Sequence, residues 1–156
     1  MHGKPTLLTP EGKKKLEEEL EYLRTVRRAQ VAERIRRARE EGDLRENAEY
    51  EEAKREQAFV EGRIQELEEM LKHVQIIAKD KRLKGVVQLG STVRVQEEGG
   101  PVETFTIVGS AESDPAKGRI SNESPLGQAL LGRRVGERVR VHTPGGETIF
   151  TILGID

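Results

Sequence analysis

The chain has 156 residues, 27 of them Lys or Arg and 28 Asp or Glu, for a formal net charge of −1. Charged residues make up 35% and aromatics only 3%, too few large side chains for one broad core, and cysteine is absent. Disulfides, thiolate metal sites and a cysteine nucleophile are thereby excluded, as are the strongly basic balance of a nucleic-acid binder and an apolar run long enough for a membrane span.

The N-terminal stretch Met1 to Pro10 is too short in apolar residues for a secretory signal, so the expected location is the cytoplasm. Thr9-Pro10-Glu11-Gly12 then opens a helix, with Thr9 as N-cap and Pro10 at the first helical position. The first helix runs to about Glu41. Leu16, Leu20 and Leu23 recur at spacings of four and three, and Val31, Ile35 and Ala38 resume the pattern after a slip near Arg27 and Arg28. Gly42 ends the helix, as glycine does just past a helix C-terminus. A second helix is predicted from Leu44 to Ile77. Its seam of Ala53, Gln57, Val60, Ile64, Leu67, Leu71 and Val74 alternates by four and three, the repeat of a left-handed coiled coil. The short connection requires the two helices to run antiparallel. Thirty residues of helix make a finger about 45 Å long.

Composition changes near residue 80, after which Gly and Val become frequent. The expected organisation is a helical domain over 1–79, a charged linker over 80–84 and a second domain over 85–156. In that second domain, 91–96 and 104–108 alternate in the manner of strands around a Glu-Glu-Gly-Gly turn at 97–100. A short helix follows Pro125 and is closed by Gly132. Residues 135–142 alternate again, with Val139 and Val141 inward, and Thr143-Pro144-Gly145-Gly146 turns into a last strand over 148–153. The fold class is α+β: an N-terminal antiparallel coiled-coil hairpin, then a small antiparallel sheet domain with a short helix.

Asp43 and Glu46 stand where the two helices meet. Their spacing fits a capping box that opens the second helix. It also fits a partial metal site at the exposed end of a stiff hairpin, and the two roles are compatible in different states. Magnesium takes six oxygens and proteins supply only one or two carboxylates, so a partner holding phosphates would complete the shell.

Gly42-Asp43-Leu44-Arg45-Glu46-Asn47-Ala48-Glu49-Tyr50 and Glu61-Gly62-Arg63-Ile64 resemble the motifs of the bacterial GreA transcript cleavage factors. So do Ser121-x-x-Ser124-Pro125-Leu126-Gly127-Gln128-Ala129-Leu130-Leu131-Gly132 and Thr143-Pro144-Gly145-Gly146-Glu147, and the resemblance covers nearly the whole chain. It implies an FKBP-like second domain that docks on bacterial RNA polymerase, with Ser124 and Pro125 in the dock. It also implies that the coiled coil enters the secondary channel of the polymerase. There, Asp43 and Glu46 would help hold the second catalytic Mg2+ and position the attacking water. The polymerase would then cut the nascent RNA at its backtracked 3′ end. On this reading the chain is a cofactor protein of the polymerase rather than an enzyme. Gre-like channel inhibitors share the architecture but have a changed acidic tip, whereas Asp-Leu-x-Glu-Asn is kept here. A plug without chemistry is the alternative, and a plain coiled-coil adaptor the third reading.

Arg34, Arg36, Arg37, Arg39, Arg45, Lys54 and Arg55 flank the tip. Each has a plain reading as part of a solvated face paired with Glu33, Glu40, Glu41, Glu51 and Glu52. Arg37 and Arg45 are the candidates for contact with extruded RNA. Tyr50 is expected to pack on the first helix. His2, His73 and His142 have no metal or triad spacing, and two phenylalanines are too few to wall a prolyl-isomerase pocket.

Overall fold

The computed structural model describes the backbone of residues 4–41 and 44–156, and side chains outside 41–47. The chain forms two compact units: Lys13–Val74, and the residues up to Gly12 together with Gln75–Asp156.

The first unit is the helical hairpin. Helix α1 spans Pro10–Tyr22, α2 Arg28–Glu41 and α3 Leu44–Lys72. The single first helix expected from the sequence is interrupted at Leu23–Arg27 by a π turn, in which the Arg28 N–H donates to the Leu23 carbonyl. A π turn accommodates one extra residue. That residue is the slip in spacing, and it lets Val31 and Ile35 return to the seam begun by Leu16 and Leu20. Leu20, Val31, Ile35, Ala53, Val60, Ile64 and Leu67 are buried as one cluster, with Leu16, Leu23, Tyr50 and Leu71 packed against it. Charge pairs run across the seam in antiparallel order: Glu19 with Arg63 at 2.7 Å, Arg28 with Glu61 at 2.7 Å, and Arg34 with Glu56 at 2.5 Å and Glu49 at 3.2 Å.

The second helix ends five residues before the expected Ile77. Val74–Ile76 instead forms strand β2, paired with β1 at Thr6–Leu8, and the Ile77 N–H donates to the Leu8 carbonyl at 2.7 Å. The β-branched residues at 74, 76 and 77 favour an extended chain once a partner strand is at hand. For the same reason the N-terminal residues, assigned by sequence to the helical domain, belong to the sheet unit.

Thr9 caps α1 as expected, its hydroxyl accepting from the Gly12 N–H at 3.0 Å. In an ordinary capping box the residue in the position of Gly12 would be a Glu reaching back to the cap. Here Glu112 takes that role from a hundred residues away. Its carboxylate accepts from the Thr9 N–H at 2.5 Å, the Thr9 hydroxyl at 2.7 Å and Arg119 at 2.9 Å. A Cβ on Gly12 would occupy the space of that carboxylate.

The sheet unit holds β3 (Thr92–Glu97), β4 (Val102–Val108), β5 (Arg119–Ser121), β6 (Arg138–Thr143) and β7 (Gly146–Ile155) in the order β5-β4-β3-β7-β6. Every neighbouring pair is antiparallel except β4 and β5, which run parallel. The antiparallel sheet read from the sequence thus includes one parallel pair. Strand β5 has only three residues, too few to show alternation. Val93, Val95, Ile107, Ile120, Val139, Val141, Phe150 and Ile152 fill one face with Leu130 of helix α4 (Pro125–Leu130). The stretch expected as a linker is ordered: Asp80 accepts from the Arg82 N–H at 3.0 Å, and its own N–H donates to Gln88 at 2.7 Å.

Candidate functional site

Helix α2 ends at Glu41 and α3 begins at Leu44, at the end of the hairpin unit remote from its two chain ends, Lys13 and Val74. Asp43 lies outside the described residues. Glu46 and Arg45 belong by backbone to the first turn of α3, and their side chains lie outside the described ones. By chain position the acidic pair falls between the end of α2 and the first turn of α3.

The arginines behind the turn are largely engaged with carboxylates. Arg36 binds Glu33 and also Glu40, the latter at 2.7 Å, and Arg37 reaches Glu33 at 3.3 Å. Hydrogen bonding from Arg36 holds the Glu33 carboxyl down at about 2. Arg34 bridges to α3 through Glu49 and Glu56. Of this group Arg37 keeps the freest head, with 72% of its side chain exposed. The guanidinium of Arg39 lies 5.7 Å from the centre of the Tyr50 ring, and hydrogen bonding from it lowers the phenol below its ordinary value. Tyr50 thus packs against the hairpin core as expected, with Arg39 over its ring.

In the sheet unit the structure gives Ser124 a definite local task. It is the N-cap of α4: its hydroxyl accepts from the Gly127 N–H at 3.0 Å and donates to the Ser121 carbonyl at 2.7 Å. Pro125, the first residue of α4, is exposed beside it. Gly127 is buried with its Cα turned to the Ser121 carbonyl, where a Cβ would collide. The motif from Ser121 to Gly127 is thus a tightly built turn that presents a proline. The Glu112 cluster was not foreseen, because no local signal marks an acid whose partner is so distant in sequence.

Among the described residues no group of three or more His, Cys, Asp or Glu could hold a metal ion, and no helix is long and apolar enough to cross a membrane.

Residues 6–76 match the family described as "Transcription elongation factor, N-terminal", and residues 82–156 match "Transcription elongation factor, GreA/GreB, C-term". The chain belongs to the GreA/GreB transcription elongation factor family. The GreA of Chloroflexus aurantiacus is 55% identical over 156 residues, 99% of each chain. That of Shouchella clausii is 58% identical over 149 residues, 95% of this chain and 94% of the other. Among solved structures, GreA factor homolog 1 of Thermus thermophilus is similar at 31% identity, with 98% of this chain and 99% of that one covered and a TM-score of 0.44. Both family domains are matched, and residues 43 and 46 fall within the N-terminal match.

Proposed function

We propose that this elongation factor rescues backtracked RNA polymerase in the cytoplasm, by entering the secondary channel and stimulating cleavage of the extruded transcript at the polymerase's own active site. What supports the reading is the Asp43-x-x-Glu46 sequence between two antiparallel helices, in a chain of this family. Helix α3 has 29 residues, about 44 Å of rigid rod, which suits delivery of those acids into a deep channel.

The donor set fits Mg2+. Two carboxylates are hard oxygen ligands, neither thiol nor imidazole stands within the turn motif, and two is the number that proteins commonly lend to a Mg2+ shared with phosphates. Asp43 and Glu46 would hold the ion jointly with the polymerase. When bound, such an ion lowers the pKa of an attacking water and stabilises charge on the phosphoryl oxygens. The carboxylates of this chain would orient that water by accepting its hydrogen bonds. Behind them, Arg37 and Arg45 would contact the phosphates of the extruded RNA. Arg37 lies one turn before the end of α2, paired with Glu33 and largely exposed. Docking at the channel mouth would use Pro125. Ser124 would act by shaping the turn, since its hydroxyl is spent on the α4 cap.

The chain should cut no RNA alone. Added to a stalled, backtracked elongation complex with Mg2+, it should release short 3′ fragments. Asp43→Ala and Glu46→Ala should abolish release while retaining polymerase binding. A wild-type chain that slows nucleotide addition and releases no fragment would instead be a channel plug.

A further inference from the structure

Phe59 is the most exposed large apolar side chain among the described residues, 76% accessible in the middle of α3. The seam of α3 runs through Ala53, Gln57, Val60 and Ile64, and Phe59 stands on the opposite face. Residues at spacings of four and three share that face: Arg55, Phe59, Gly62 and Glu66, all exposed. Glu66 is bound by Arg63. Arg55 has no ion pair or hydrogen bond, unlike the other basic residues of α3 with described side chains, Lys54, Arg63 and Lys72.

Gly62 is the telling neighbour. Glycine in a helix interior weakens the helix, and here nothing in the chain asks for it, since a Cβ built at this position meets no atom within 4 Å. The fold therefore supplies no reason to omit a side chain beside an exposed aromatic ring. The result is a protruding ring, a notch one turn further on and a free cation one turn back.

We infer that the Arg55–Phe59–Gly62 stripe is a contact with the wall of the polymerase channel, made by an apolar socket for the ring and a carboxylate for Arg55. The inference rests on the insertion proposed above. A finger inside a channel is enclosed on all sides, so the back of α3 meets protein there. The stripe lies 13 residues behind Glu46 on the same rigid helix, about 20 Å from the acidic turn. It would hold the rod at a fixed depth while the tip does its work. A second copy of the chain is the competing occupant, because Arg55 would face Glu66 and Phe59 would face Gly62 in an antiparallel pair. The matched residues of such a pair span only about 16 Å of helix and bring one large apolar side chain from each copy, too little apolar area for a stable dimer.

The test is a titration of backtracked polymerase with wild type, Phe59→Ala, Arg55→Glu and Gly62→Leu, reading the factor concentration for half-maximal cleavage. Melting curves of each variant and sedimentation of the wild type accompany it. The contact predicts a rise of about tenfold or more for each variant. It also predicts recovery of cleavage at saturating factor, melting no lower than wild type for Gly62→Leu, and a monomeric wild type. Wild-type titrations for all three variants, with the wild-type chain active, would overturn the contact alone. A wild-type dimer that Phe59→Ala dissociates would overturn it in favour of self-association. A wild-type chain that does not bind polymerase would overturn the insertion and the contact with it.

Discussion

At the scale of single residues, the sharpest feature is the cap completed from afar at the start of α1. Glu112 is almost wholly buried, with 8% of its side chain exposed, and three donors converge on it. Glu112→Ala should destabilise the sheet unit by about 2 kcal/mol, because it leaves the Thr9 N–H without its acceptor and removes the charge partner of the partly exposed Arg119. A Glu at position 12 should replace it from within the helix. The double variant Glu112→Ala/Gly12→Glu should then be more stable than either single variant, a coupling that denaturant melts of the four chains would measure. Gly12→Glu alone should destabilise, since the new side chain meets the Glu112 carboxylate. Gly62→Ala is the opposite case. With open space around it, it should raise hairpin stability by about 0.5–1 kcal/mol, and a loss of stability would show a constraint not visible in the fold.

At the scale of elements, the hairpin is a thin apolar seam flanked by ion pairs. Ile64, buried at its centre, should cost about 2–5 kcal/mol on replacement by Ala. The pairs across the seam and along α2 should give the hairpin a modest acid sensitivity, reduced because their carboxylates are largely exposed and screened by solvent. Glu33 is held near 2 by Arg36, Glu61 is lowered by Arg28, and Glu19 is lowered by Arg63. A carboxyl with a depressed folded pKa stabilises fully above its unfolded value, near 4.5 for Glu, and loses that contribution as pH falls toward the folded value. The melting temperature followed by helical circular dichroism should therefore drop between about pH 5 and pH 2, and Arg63→Ala should flatten the slope. A flat profile for the wild type would contradict the assignment. These elements also mark the limit of what the sequence discloses. The α3 seam, the two helices, the Thr9 cap and the inward Val139 and Val141 were legible, because each is a local period or a local cap. The π turn showed only as a slip at Arg27 and Arg28, since a one-residue insertion shifts a pattern without naming its geometry. Strands β1, β2 and β5 were missed, because three residues carry no period and their pairing is decided by distant partners. Glu112 was missed for the same reason.

At the scale of the molecule, charge is nearly balanced and the apolar material is split between two units, each with its own small core. The hairpin unit lies within the N-terminal family match, which also takes in residues 6–12 of the sheet unit, and the C-terminal match, with the Ser124–Pro125 turn, lies wholly in the sheet unit. Of the candidate site, the motif and its place between two helices could be read from the sequence, while the engagement of the nearby arginines could not, because spacing alone leaves several glutamates open to each. The two units also separate two measurable properties: changes at residues 43 and 46 should alter the chemistry, and changes around Pro125 should alter the affinity. The most direct trial uses charge without shape. In a backtracked elongation complex, transcript cleavage is followed across a Mg2+ titration with wild type and with Asp43→Asn/Glu46→Gln. Wild type should lower the Mg2+ concentration that cleavage requires, and the double variant should bind the polymerase and leave that requirement where it stands without factor. A double variant that lowers it as wild type does would contradict the shared-ion account.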